Sequence, residues 1–414
     1  MSRTDHSRRL FLTRSAALGC SLAASPLMTP VTMASAPWDN RLVVIILRGG
    51  LDGLDAVRPY GAREFAAYRD GMAGDDVPGE LDLDGFFALH PAMAPLMPLW
   101  RAGQLGFAHA VSTPYRDKRS HFDGQDILEA GSGASGPTGR RDGWLNRMLQ
   151  TVPGTESETA YAIGQSDMLL TRGAAEVADW SPDAALTLSP QAQRLLEMVM
   201  HEDPLFRDAM QEAVDLSQES LASLTEDGPL DTAGMMDAMQ DSMRAPRRKG
   251  GGTGEIAQFA AERLRGDTRI AAYSISGFDT HARQHRTLPR ALGTLTDNIL
   301  ALRDGLGPVW DKTSIIAMTE FGRTARANGT GGTDHGTGGV MMMAGGALRG
   351  GRIVTDWPGL TEAELYRRRD LMPTRDVRAH AGWIMHHLLG LDRRVIEQTV
   401  FPGLDLGVDP GLIL

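Results

Sequence analysis

The clearest pattern along the chain is an unbroken apolar run at residues 41–47, RLVVIIL, dominated by β-branched side chains. A run of that length without polar alternation predicts a strand covered on both faces. It stops at Gly49 and Gly50, followed by Leu51, Asp52, Gly53, Leu54 and Asp55. Similar apolar runs at 105–111, 269–275, 313–318 and 339–344 predict further strands. Between them the period lengthens to that of helices, near 62–70, 92–102, 255–265, 286–305 and 374–389. Ser120 is a good N-cap for another helix running to about Ala130. Residues 157–190 read as short strands and turns, and 190–224 as two helices. Strands alternating with helices predict an α/β fold, a mostly parallel central sheet flanked by helices on both faces.

Two stretches break this rhythm. Residues 226–254 carry scattered Met and acidic residues and then RRKGGG, the composition of a flexible insertion. Their methionines (Met235, Met236, Met239, Met243) fit a packed amphipathic turn rather than a metal-binding box. The first 36 residues carry Arg8 and Arg9, then Leu10, Phe11 and an Ala-rich run interrupted by Pro26 and Pro30. That layout resembles a twin-arginine export signal and makes a poor membrane span. It predicts a periplasmic or secreted protein, a passing partnership with the twin-arginine translocase, and no membrane span in the mature chain. Cys20, the single cysteine, sits in this segment, so a mature chain lacks thiolate chemistry. Lipid anchoring at Cys20 is the lesser alternative. The domain expectation is therefore a signal at 1–36 and one α/β domain at 37–414 that contains the insertion.

Composition changes the picture by exclusion. With 414 residues, 42% hydrophobic and 23% charged, the chain is ordinary globular protein rather than disordered or coiled-coil. The net charge is −10, and because the first 36 residues carry four arginines and one aspartate, the remainder carries −13. A chain this acidic has no general footprint for nucleic acid. A local site for an anionic ester or a carbohydrate-type small substrate remains compatible with it.

The candidate chemistry clusters after strands and at helix starts. Asp52 and Asp55 follow the first apolar run, Ser120, His121 and Asp123 open a helix, and Asp279 and His281 follow the 269–275 run. Glu320 and Arg323 follow the 313–318 run, with Asp334 and His335 in a glycine-rich loop beyond. Mixed carboxylate and imidazole donors suit zinc or manganese, and oxygen-rich sets suit magnesium or calcium. One or two divalent ions are therefore expected. Each residue also has a plainer reading: a strand-end Asp caps a turn as readily as it binds metal, and a lone His is usually a packed group. Arg323 fits either an anion clamp or a salt bridge to a nearby acid. His121 fits a ligand, a general acid, or an inert first-turn residue. His380, His386 and His387 are read as structural. The glycine cluster at 329–339 lacks a Gly-Lys-Ser/Thr element, which disfavours a nucleotide loop.

The blocks RGGLDGLD, RSHFDGQDILEAG, GFDTH, TEFGRT, GTDHGTGG and DLMPTRDVRA resemble the bacterial family called domain of unknown function 1501. That family is similar to the alkaline phosphatase and sulfatase superfamily. The resemblance implies an alkaline phosphatase-like fold, with Asp52 as a strand-end metal ligand and Ser120 as a nucleophile at a helix start. It implies Asp279 and His281 as paired ligands, and leaves the remaining ligands open among Glu320, Asp334 and His335. The activity so implied is an exported metal-dependent hydrolase of phosphate or sulfate esters. The alternative is a non-catalytic periplasmic or surface binding or assembly protein on the same scaffold, since fold does not fix function.

Overall fold

The first apolar run forms strand β1, Arg41–Arg48, with every side chain buried except that of Arg48. Its residues face two ways. Val43, Ile45 and Leu47 enter one hydrophobic core, and Leu42, Val44 and Ile46 enter another. Burial on both faces is why the run shows no polar alternation. The computed structural model describes residues 38–70, 72, 80–116, 119–133, 141–164, 168–181 and 253–414. The 1–36 segment with Cys20, the expected helices at 190–224 and nearly all of the 226–254 insertion lie outside these residues.

Strands β2 (Val57–Arg58) and β3 (Ala88–Leu89) pair antiparallel as a small separate sheet. The remaining strands are β4 (Leu105–Ser112), β5 (Ala160–Ile163), β6 (Ala178–Trp180), β7 (Ile270–Ser276), β8 (Thr313–Thr319), β9 (Gly339–Ala344), β10 (Arg352–Val354) and β11 (Arg375–Asp376). Among the described residues they join β1 in a nine-stranded sheet, ordered β10-β4-β9-β8-β1-β7-β5-β6, with β11 also on β4. Every pairing is parallel except those of β9 with β4 and β8. The expected α/β architecture with a mostly parallel sheet is therefore present. The pieces that periodicity missed are β2, β3, β10 and β11, each too short to show a period.

Helices cover both faces. On the first core pack α1 (Thr253–Arg265) and α2 (Gln284–Leu306), the latter burying Leu288, Leu292, Leu295, Ile299 and Leu302. On the second pack residues 144–150 and the helix Val377–Leu389, through Leu145, Met148, Ile384 and Leu388. Each such side chain contributes about 1.5–3 kcal/mol by leaving water. None of the described helices is long and apolar enough to cross a membrane.

Register sets where the loops emerge. Leu47 lies level with Ile275 of β7 and with Thr319 of β8. The loops after β1, β7 and β8 therefore leave the same edge of the sheet. The antiparallel β9 starts at that edge, so residues 332–338 arrive there, and β4 ends there with Val111 opposite Gly339. Four loops meet at the carboxyl edge, those after β1, β4 and β7 and the one that joins β8 to β9, the usual place for a site in an open α/β sheet.

Two buried histidines make stability depend on pH. His109, beside a bulge where Ala110 adopts φ 54°, accepts the Ala110 N–H at Nδ1 and faces the Val57 carbonyl through Nε2. Burial lowers its pKa to about 4 and that of His380 to about 3. The unfolded chain then takes up protons first. Stability is full above about pH 6.5 and falls as pH drops toward 4, by roughly 1.4 kcal/mol per unit for each histidine. Urea unfolding at pH 7 and pH 5 should show this loss, and His109→Gln should make it shallower. An equal slope in that variant would remove His109 as a source.

Candidate metal centre

The helix opened by Ser120, α-helical over His121–Ala130, places His121 at its first turn. Its ring meets two others from separate loops. The ligand-capable atoms of His121, Asp279 and His335 all lie within 4.8 Å of one another. His121 Nε2 and His335 Nε2 each stand 3.5 Å from Asp279 Oδ1. His281 joins them, with Nε2 3.1 Å from Asp279 Oδ1 and 2.8 Å from His335 Nε2.

What holds each ring decides which nitrogen faces inward. His121 Nδ1 lies 2.8 Å from Glu320 Oε1, His335 Nδ1 lies 2.9 Å from the Arg119 carbonyl, and His281 Nδ1 lies 3.4 Å from Asp334 Oδ1. For His121 and His335 the closer acceptor lies on Nδ1, which carries the proton of the neutral ring and turns Nε2 inward, whereas His281 has a carboxylate on each side, Asp334 at Nδ1 and Asp279 at Nε2. His121 Nε2 is buried and has no hydrogen-bond partner. Three imidazole Nε2 atoms and a carboxylate thus converge, with His281 Nε2 at hydrogen-bond distance from Asp279 and His335. That donor set fits a divalent cation, and outer acceptors on the ligating histidines are the usual accompaniment.

Charge is distributed to match. Burial lowers the His335 pKa and keeps that ring neutral. The Glu320 hydrogen bond raises His121 against the effect of burial. Burial pushes Asp279 up, but the Arg323 hydrogen bond and charge outweigh it, so its carboxylate is held low. Burial likewise pushes Glu320 up, and hydrogen bonds from His121 and the Gly49 N–H more than offset this. The close approach needs glycine: Gly49 has φ +117°, and a Cβ there would sit 2.4 Å from the Asp279 nitrogen. A Cβ on Gly332 would meet the His281 backbone at 2.4 Å. Arg119, a non-glycine residue at φ 56°, holds the strained turn that aims its carbonyl at His335.

The structure brings His121, Asp279, His281 and His335 together and places the other expected site residues elsewhere. Asp52 caps the short helix Gly53–Ala56, and both its oxygens are taken by Arg69, with Gln284 Nε2 also 2.7 Å away. It is a sealed ion pair rather than a member of the converging set. Glu320 sits behind His121, its carboxylate filled by His121, Gln125, Gly49 and Thr319. Arg323 is wholly buried and donates to the carbonyls of Gly49, Gly50, Phe278 and Thr333 and to Asp279 at 2.5 Å. The salt bridge it makes is to Asp279, not Glu320, and its packing leaves it no face toward a substrate. Asp334 bonds His281 and Asn328. Ser120 is the N-cap, accepting the Asp123 N–H. Arg69, Gln284 and the Arg119 carbonyl are additions that the sequence does not announce. No residue type or spacing marks a backbone carbonyl or a neutral amide as part of a site.

A model of the family described as "Protein of unknown function (DUF1501)" matches residues 39–397. No curated protein matches the chain. Among solved structures, the lipoteichoic acid synthase LtaP from Listeria monocytogenes aligns at 9% identity and TM-score 0.32, over 71% of this chain and 59% of the synthase. Alkaline phosphatase from the Antarctic bacterium TAB5 aligns at 8% identity and TM-score 0.31, over 77% and 94% of the two chains. A mutant of that phosphatase with magnesium bound aligns at 10% and 0.32, over 77% and 95%. At such similarity nothing of their chemistry transfers.

The placement of Asp52 is testable. Asp52→Asn leaves the Arg69 guanidinium buried without its counter-ion, which should cost about 3–5 kcal/mol in urea unfolding. Bound metal in the folded variant should match the wild type. Full stability combined with lost metal would instead put Asp52 among the ligands.

Proposed function

The chain belongs to the family described as protein of unknown function (DUF1501), and on that footing we propose that it is a metal-dependent hydrolase centred on His121, Asp279 and His335. One observation carries the reading: three imidazoles, each tethered outward through Nδ1, turn Nε2 toward a single carboxylate. His121, Asp279 and His335 would hold a divalent ion, with His281 against two of them. Such an ion would supply Lewis acidity toward an ester oxygen and activate water near neutral pH.

The chain's own residues then have defined work. Glu320 fixes the His121 tautomer and the Arg119 carbonyl fixes that of His335. Arg323 holds Asp279 ionised and in place. Ser120 is the attacking hydroxyl in this reading: its oxygen accepts the Asp123 N–H, its proton is free, and the helix start makes its surroundings electropositive. A small cleft bordered by Tyr115, Arg119, Gly336, Thr337 and Asp370 adjoins the ligand loops. The substrate class, phosphate or sulfate esters, rests on the motif resemblance. Export by the twin-arginine route rests on Arg8 and Arg9 and the apolar stretch after them.

A second reading, a binding or assembly protein on the same scaffold, has one observation in its favour. Arg323, the residue suited to grip an anionic ester, is consumed by backbone carbonyls and Asp279.

Elemental analysis of the purified protein should find a stoichiometric divalent metal, lost in His121→Ala and His335→Ala. Chromogenic phosphate or sulfate esters should be hydrolysed by the loaded protein and left at background by both variants. Ser120→Ala should also drop to background while losing only about 1 kcal/mol of stability, the cost of a missing cap. Turnover preserved within a few-fold would restrict Ser120 to capping. Tightly bound metal with no ester turned over would favour the binding protein.

A further inference from the structure

We propose that Gln284 is the positioning residue of this centre, the joint that sets the loop bearing Asp279 and His281 against the loop bearing Asp334 and His335. The inference rests on the metal reading above.

Gln284 is the first residue of α2 and is fully buried. Its amide uses its bonding capacity to the full, two donors and two accepted bonds. Nε2 donates to Asp52 Oδ2 at 2.7 Å and to Asp55 Oδ2 at 2.9 Å. Oε1 accepts from Thr280 Oγ1 at 2.9 Å and from Thr333 Oγ1 at 2.8 Å. Thr280 stands between Asp279 and His281, and Thr333 directly precedes Asp334 and His335. One side chain therefore ties both ligand loops to the loop after β1. Backbone bonds run in parallel, from Gln284 N to the Gly331 carbonyl at 2.8 Å and from Thr333 N to the Thr280 carbonyl at 3.2 Å.

The orientation of the amide is dictated. Reversed, it would aim its oxygen at two carboxylates, Asp52 and Asp55, that offer no proton. Glutamate in its place would put a third carboxylate against Asp52 and Asp55. The joint is mounted on the 23-residue helix α2, whose apolar face is locked in the core, and sites on rigid elements hold geometry best. The separation it governs is demanding. His281 and His335 come from the two loops it joins, and their Nε2 atoms are 2.8 Å apart. Ligand distances tolerate errors of only about 0.2 Å.

The test uses the full chain with Gln284→Met and, separately, Thr333→Val, which removes one hydroxyl at nearly constant volume. Two readouts are compared: histidine-selective ¹⁵N NMR of metal-free protein, and titration with cobalt(II) followed by its visible spectrum. In both variants the ring signals of His281 and His335 should shift or broaden while that of His387 stays. Cobalt affinity should fall about 10–100-fold, with a changed band shape. Leu388→Ala, a core deletion on the opposite face of the sheet, should leave both readouts unaltered. Unchanged histidine signals and cobalt affinity in either folded variant would overturn the proposal. Should the wild type take up no cobalt, the metal reading fails instead, and the metal-free histidine signals alone decide the role of Gln284. If Gln284→Met does not fold, Thr333→Val decides the matter by the same two readouts.

Discussion

A guanidinium withdrawn from water must find acceptors for its N–H groups or carry a penalty of several kcal/mol. Arg323 meets that demand with four backbone carbonyls, those of Gly49, Gly50, Phe278 and Thr333, and with the Asp279 carboxylate. Those acceptors belong to the loops after β1 and β7 and the loop before β9. The requirement to satisfy one buried cation thus draws together three segments distant in sequence. It also explains why these loops are rich in glycine, since their backbones must approach closely enough for one side chain to reach them all. This tie and the Gln284 bonds to Thr280 and Thr333 act together on the loops that bring His281 and His335 to Asp279.

Around it the polar groups form two layers. The inner layer is donor-poor, made of imidazole nitrogens and a carboxylate. The outer layer consists of acceptors and hydroxyls, Glu320, the Arg119 carbonyl, Asp334 and the threonines on Gln284. The outer layer fixes the rings of His121 and His335 through Nδ1 and so keeps their Nε2 atoms turned to the carboxylate.

Much of the scaffold is legible in the sequence because burial leaves a pattern. The 41–47 and 339–344 runs, the Ser120 cap and the long α2 stripe follow from apolar period and capping chemistry alone. The carboxyl edge is equally legible, since glycines and acids follow strands whose sides are all apolar. What pattern does not carry is which acid faces which partner. Asp52 and Asp279 read alike, each an acid just beyond a buried strand. The partner of Asp52 is Arg69, 17 positions on and inside no motif. Glu320 reads as a ligand because it follows β8 directly, yet it is separated from the inner layer by a single ring, that of His121. Such distinctions live in a few ångströms of packing, below the resolution of spacing. Gln284 is invisible to pattern for a different reason: a neutral amide at a helix start is common, and only the four groups around it give it meaning.

The contrast between the two aspartate–arginine pairs is the most informative feature. Both are ion pairs at the same edge of one sheet, but the Asp52 side chain is 1% exposed and that of Asp279 is 49% exposed. Where the pair is sealed, every oxygen is matched to a protein donor, and the charge does nothing but hold loops. Where it is open, Arg323 and the three imidazole nitrogens gather on one oxygen of the carboxylate, Asp279 Oδ1. A fold that needed Asp279 only for structure could have sealed it as it sealed Asp52. Setting a buried cation against an anion half exposed to water and ringed by imidazoles costs stability that the sealed arrangement retains. Its return is a negative, preorganised pocket at the one edge where four loops meet, and that is the property a cation-dependent site requires.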